Sequence, residues 1–311
     1  MINKISCVIH TYNSEKYLKE CLSSIQWCDE IVIVDMYSTD KTLAIAEEFD
    51  AKIYMHENVG YADPARAFGL SKCSNDWIIA LDSDELIPTK LKVRFLELME
   101  ENQFDVFKIS FRNFFFGKEI IGSGWGYKDQ VIARFFKKEY LKYGTEVHNF
   151  IQISDNARIG SIIGRDISII HFNYDSVNQF IRKLNTYTDN EVNSTKYNYK
   201  GSPAFKIIYH FFREILGRFI YKKGYKDGWI GFYLAFSMAF YRASAIAKSN
   251  LENESKIISK YKFDGDNLVE NINQWGSKYT YKYDRLHNLT RINFPDKTFK
   301  ALSYNQKRDW V

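Results

Sequence analysis

The chain has 311 residues, 45% hydrophobic and 17% aromatic, ample for a sizeable core and for about two domains. A formal net charge of +5 is modest, and with no strong basic patch it excludes nucleic acid as a partner. All four cysteines, Cys7, Cys21, Cys28 and Cys73, lie in the first quarter without paired metal spacing, which reads as buried free thiols in a reducing compartment.

The amino terminus runs directly into a β-rich segment at residues 5–10, leaving no room for a signal peptide, so a cytoplasmic location is expected. Helix-like segments at 14–25, 39–49 and 64–73 then alternate with strand-like segments at 30–35, 51–56 and 77–81. This alternation predicts βαβ units and a mostly parallel sheet, an α/β fold. Ser14 and Thr39 or Asp40 are expected to cap the first two helices, with Glu15 and Asp40 as early-turn acids. Polar groups gather at three strand ends: His10-Thr11-Tyr12-Asn13, Asp35 to Asp40, and Asp82-Ser83-Asp84-Glu85. The first of these loops has no glycine, which weighs against the dinucleotide and ATP phosphate loops and so against hydride transfer and ATP hydrolysis.

Trp77 to Leu81 is an uncharged run that ends in three carboxylates within four residues. Like charges so close raise one another's pKa unless a cation or donor sits among them, which suggests a divalent metal bound through oxygen and completed by water and substrate phosphates. The other reading is a helix start, with Asp84 capping a helix that opens near Pro88.

Thr11-Tyr12-Asn13, the strand 30–35 with Ser38-Thr39-Asp40, Arg66, and Asp82-Ser83-Asp84-Glu85 together resemble the family-two glycosyltransferases with their nucleotide-diphospho-sugar (GT-A) fold. The nearest branch is that of the bacterial lipopolysaccharide-core and capsule glucosyltransferases, and the resemblance runs over residues 5–187. It implies an inverting transferase that takes a hexose from a nucleotide-sugar donor such as a UDP-hexose, with Mn²⁺ or Mg²⁺, to a hydroxyl of a saccharide or glycolipid acceptor. On this chain it implies that Thr11, Tyr12 and Asn13 line the nucleotide pocket and that Asp35 accepts a hydrogen bond from the base. Arg66 would contact the diphosphate, Asp82 and Ser83 the donor near its ribose, and Asp84 would be the principal metal ligand, joined by Asp82 and His148. Met36-Tyr37 stand where the family often has a small residue or a second Asp, which leaves the nucleotide base open.

Inversion needs a general base for the acceptor hydroxyl. The segment Gly122 to Arg134 resembles the family's acceptor-site segment, and Asp129 matches its acid, with Glu85 the next candidate. Read alone, Asp129 is a surface Asp beside Lys128. Where relatives carry Val-His-Glu this chain has Val147-His148-Asn149, and an Asn cannot take the proton. His148 and, more weakly, His171 match histidines of the branch that bind metal or diphosphate. The rival class is a non-catalytic nucleotide-sugar or carbohydrate binding module retaining the fold; two-carboxylate sugar hydrolysis is a weaker third.

Beyond Ser176 the texture turns helical. Residues 205–225 form a basic amphipathic segment with Lys206, Arg213, Arg218, Lys222 and Lys223 among Phe, Ile and Tyr, suited equally to the inner face of an anionic membrane or to a helical or homo-oligomer interface. The uncharged run 228–241 falls short of the roughly 20 residues needed to span a bilayer. Residues 281–292, with Pro295-Asp296 and Tyr304-Asn305, resemble one tyrosine-aspartate repeat of the Rhs type, expected as a β-hairpin appendage. The expected organisation is a GT-A catalytic domain at 1–175, a helical region at 176–262 and a hairpin tail at 263–311.

Overall fold

The structure is a computed structural model and describes residues 3–57, 63–143, 151–194, 202–255, 260–272 and 277–303. Strands β1 (Ile5–Thr11), β2 (Glu30–Asp35), β3 (Lys52–Met55) and β4 (Trp77–Asp82) pair in parallel in the order β3-β2-β1-β4. Helices α1 (Leu18–Ile25), α2 (Thr42–Glu47) and α3 (Asp63–Lys72) make the crossovers. The strands are continuous apolar runs because both faces of the sheet are covered, and every residue of β1 is buried. On one face α3 lies so close that a Cβ at Gly69 would come within 2.8 Å of Val8 Cγ2 and 2.9 Å of Val34 Cγ2. Glycine there costs helix propensity of about 1 kcal/mol but lets the helix reach the sheet.

The chain continues through β5 (Glu85–Leu86), α4 (Thr89–Glu101), β6 (Val106–Phe115), β7 (Lys118–Glu119), β8 (Val131–Lys137), β9 (Leu141–Tyr143), β10 (Ile151–Ile153), β11 (Ile159–Ile162) and β12 (Ile169–Tyr174). β8 joins the main sheet antiparallel to both β4 and β6. The long strand β6 pairs with β8 and β11 through its first half and with β12 through its second, which brings β12 and then β5 round to the carboxyl end of β4. Stacked Trp77, Phe95, Phe107 and Phe135 fill the core beneath it, with Phe95 and Phe135 centroids 4.4 Å apart.

Two local expectations are corrected. Helices α1 and α2 begin three residues or so later than expected, after Tyr17 and Lys41, and neither has a side-chain cap. The polar residues tie the two loops together, Ser14 N–H donating to Thr42 Oγ1 at 2.7 Å, Thr39 N–H to Asn13 Oδ1 at 2.8 Å and Glu15 N–H to Asp40 Oδ2 at 3.0 Å, while Asp40 Oδ1 also accepts the N–H of Thr42, the first residue of α2, at 3.0 Å. Nor does Asp84 cap α4, which opens at Pro88 without a side-chain cap.

Helices α5 (Val177–Ser194), α6 (Pro203–Ile215) and α7 (Trp229–Ser255) follow. The basic segment is not one α-helix, because a π-helical turn, Leu216–Tyr221, succeeds α6. In α7 the stretch Trp229–Leu251 is long and apolar enough to cross a membrane by length and composition, yet 44% of its most apolar window is buried inside the protein. The tail is larger than a hairpin: β13 (Lys260–Asp264), β14 (Asn267–Ile272), β15 (Lys278–Tyr283), β16 (Leu289–Asn293) and β17 (Phe299–Ala301) form an antiparallel five-stranded meander.

Candidate active site

The ends of β1, β2 and β4 are adjacent because the strands are in parallel register, with Thr11 opposite Asp35 and His10 opposite Asp82. Thr11 Oγ1 donates to Asp35 Oδ2 at 2.7 Å, and Ser38 donates its N–H to Oδ1 at 2.7 Å and its hydroxyl to Oδ2 at 2.6 Å. Asp35 is thus fully buried and three of its roughly four acceptor positions serve the loop. Asn13, with a left-handed φ of 50°, accepts Thr39 N–H at 2.8 Å and donates its own N–H to Ser38 Oγ at 2.8 Å. The two loops are stitched into one rim that leaves Tyr12 and Tyr37 exposed.

At the end of β4 the carboxylates separate into different environments. Each oxygen of Asp82 is held by an arginine, Oδ1 by Arg66 Nη2 at 2.9 Å and Oδ2 by Arg134 Nη2 at 2.8 Å. Burial alone would raise its pKa, but the Arg134 and Arg66 charges override it and hold the carboxyl well below the usual range. Glu85 is wholly buried; Arg134 Nη2 reaches its Oε1 at 2.7 Å, and its Oε2 accepts Asp82 N–H at 2.9 Å. Burial pushes its pKa up to about 8, against the pull of Arg134. With its oxygens so engaged, Glu85 positions Arg134 and the Asp82 turn. Ser83 Oγ donates to Ser14 Oγ at 2.8 Å, tying the acidic turn to the first loop.

Asp84 has no arginine. Its carboxylate faces His171 Nε2 at 3.6 Å, and burial, helped by Asp82 and Glu85, pushes its pKa up to about 6 although His171 pulls it down. His171 stands on β12 opposite Glu85, and burial lowers its pKa against the pull of Asp84 and Asp82. Asn173 Nδ2 lies 3.1 Å from its Nδ1 and donates to Asn113 Oδ1 at 2.6 Å; Asn113 Nδ2 donates onward to Trp125 O and Gln130 Oε1. A relay of amides therefore joins the Asp84 side to the segment 125–130. There Asp129 is exposed and its Oδ2 accepts Gly126 N–H at 3.0 Å, while Lys128 lies over the Tyr127 ring.

Helix α5 adds groups that motif reading missed. Burial raises the Tyr187 phenol's pKa and Asp82 and Asp84 raise it further, while the Lys183 charge reaches Asp84 and His171. Asn113 on β6, Asn173 on β12 and the pair Lys183 and Tyr187 on α5 share no motif, since they converge from three separate elements. His148 lies outside the described residues.

Among the described residues, no group of three or more His, Cys, Asp and Glu side chains is assembled to hold a metal unaided. The donor set is one carboxylate and one imidazole, Asp84 and His171. That chemistry fits a divalent cation whose remaining ligands are water and phosphate oxygens. Asp82, with both oxygens on arginines, is the weaker donor of the acidic pair.

Residues 6–164, just over half of the chain, match the family model "Glycosyl transferase family 2". An uncharacterized glycosyltransferase of Rickettsia conorii is 24% identical over 86% of this chain and 98% of its own length. The lipopolysaccharide core biosynthesis glycosyltransferase LpsC of Rhizobium meliloti is 28% identical over 69% of this chain and 83% of its own. Among solved structures, TarS 1–349 of S. aureus in complex with UDP-GlcNAc aligns over 92% of this chain and 98% of its own, with 17% identity and a TM-score of 0.44.

Proposed function

The chain belongs to glycosyl transferase family 2, and on that premise we propose that it moves a hexose, with inversion, from a UDP-sugar to a hydroxyl of a bacterial surface glycan or lipid-linked acceptor. The observation that carries this reading is Asp84: a partly buried carboxylate that no arginine holds among the described residues, at the carboxyl end of a parallel strand, beside an acid clamped by two arginines. Such a position favours a cation and a polyanion together. The similarity to a lipopolysaccharide-core transferase supports a surface glycan as acceptor.

In this reading Tyr12 and the stitched loops around Asp35 receive the nucleoside, while Arg66 and Lys183 face the diphosphate. Asp84 and His171 would hold Mn²⁺ or Mg²⁺, which would supply neutralisation of the diphosphate's charge. Asp129 takes the proton of the acceptor hydroxyl as its oxygen bonds to the anomeric carbon, and the bond from that carbon to the diphosphate oxygen breaks, releasing UDP. Glu85 stays out of the proton transfer and holds Arg134 in place.

The test is Asp129→Asn. The amide oxygen can still accept Gly126 N–H, so the turn persists, but it cannot take a proton. Donor binding should remain while transfer falls by about 10²–10⁴-fold; near-normal turnover would remove Asp129 from the reaction.

A further inference from the structure

The face formed by α6 and α7 is apolar where a folded surface is ordinarily polar. On α6 and the first residue of the π turn, Phe205, Tyr209, Phe212 and Leu216 recur at helical spacing and are all exposed, Phe205 to 77%. On α7, Trp229, Phe232, Phe236 and Phe240 do the same, with Trp229 69% exposed. The two segments meet along a seam, where Phe211 lies 5.7 Å from Phe236 and Phe219 5.6 Å from Phe232. Exposed apolar side chains this dense mark a binding surface.

Charge identifies the partner. Exposed Lys222, Lys223 and Lys226 stand among the exposed aromatics Tyr221 and Tyr225 at the end of the patch. The two acids of this stretch are both engaged internally: Glu214 is held by Arg218 at 3.1 Å, and buried Asp227 accepts the N–H groups of Ile121 and Gly122 at 2.8 and 3.0 Å. Aromatics and lysines beside an apolar face match the interface of an anionic bilayer. A second copy of the chain in a two-fold contact would set such lysines against one another. The helix does not enter the bilayer as a span, because its other side buries Ile230, Leu234 and Ala239, and Arg242 pairs with Glu191 at 2.8 Å.

The same turn is fastened to the segment assigned to the acceptor. Ser123 N–H donates to Lys222 O at 2.8 Å, and Arg218 donates to Ser123 O at 2.9 Å while lying 4.6 Å over the Trp125 ring. We propose that the exposed aromatic face of α6 and α7, with Lys222, Lys223 and Lys226, docks the protein flat on an anionic lipid surface and so sets the 121–125 loop at headgroup level. This goes beyond the transferase reading and needs no sugar donor.

Co-sedimentation of the full chain with phosphatidylglycerol–phosphatidylcholine vesicles tests it. Binding should exceed that to pure phosphatidylcholine and fall as salt is raised. Lys223→Gln with Lys226→Gln should lower the partition coefficient by about fivefold per lysine, the equivalent of about 1 kcal/mol each. Phe205→Ser with Trp229→Ser, both exposed, should lower it further with an unchanged circular dichroism spectrum. Absence of wild-type binding to the anionic vesicles would overturn the proposal, as would a salt-insensitive interaction. A dimer in light scattering that these serine substitutions disperse, without vesicle binding, would assign the face to a second copy instead. Because no donor is present, failure here leaves the transferase reading untouched.

Discussion

Arg134 reaches Glu85 at 2.7 Å from a side chain only 7% exposed, and the same nitrogen holds Asp82 at 2.8 Å. One guanidinium therefore engages two acids of the β4 turn and leaves the third, Asp84, to something else. Removing one partner of a buried pair strands the other charge, so Arg134→Met should cost about 3–5 kcal/mol in urea denaturation. Glu85→Gln, which keeps an acceptor for Arg134 and strands no anion, should cost less. Equal losses for the two would contradict this division.

Asp84 should make stability fall as pH rises. Its pKa is raised in the fold from 3.8 to about 6, so the folded protein binds more proton than the unfolded chain between those values. Stability contributed by the protonated acid is present below about pH 4 and lost as pH approaches 6. Asp84→Asn should abolish this part of the profile and, without metal, be more stable than the wild type near pH 7 by about 1–3 kcal/mol. Thermal melts across the window check it; a destabilised Asn variant would sink the idea.

The loop beside the π turn depends on glycine. A Cβ at Gly122 would lie 2.4 Å from Lys223 O, a backbone atom, whereas one at Gly117, with φ of 77°, would meet nothing within 4 Å. Gly122→Ala should cost about 1–3 kcal/mol through overpacking, and Gly117→Ala about 1–2 kcal/mol through backbone strain alone. Only the first should also expose the 121–125 loop to protease.

The parallel half of the fold was legible because β1, β2 and β4 are unbroken apolar runs punctuated by polar loops, and the family motifs sit on those loops. The residues that complete the site were not. His171, Asn173 and Asn113 meet Asp84 through pairing between β5, β12 and the second half of β6, contacts separated by tens of residues. Arg66 was visible as a helical cation, but its ion pair with Asp82 at 2.9 Å was not. The caps misled for a local reason: the two loops bond to each other, Ser14 N–H donating to Thr42 Oγ1 and Asp40 Oδ2 accepting Glu15 N–H, so neither helix starts where its polar residue stands. The tail's alternating pattern showed strands but not their number.

If Asp84 anchors a nucleoside diphosphate through a cation, calorimetry of UDP binding to the wild type and to Asp84→Asn, each with Mn²⁺ and with chelator, should find tight binding only for the wild type with Mn²⁺. The variant should lose at least about tenfold, worth about 1.4 kcal/mol, from a protein that remains folded. Equal affinity in chelator, or in the Asn variant with Mn²⁺, would contradict that role for Asp84.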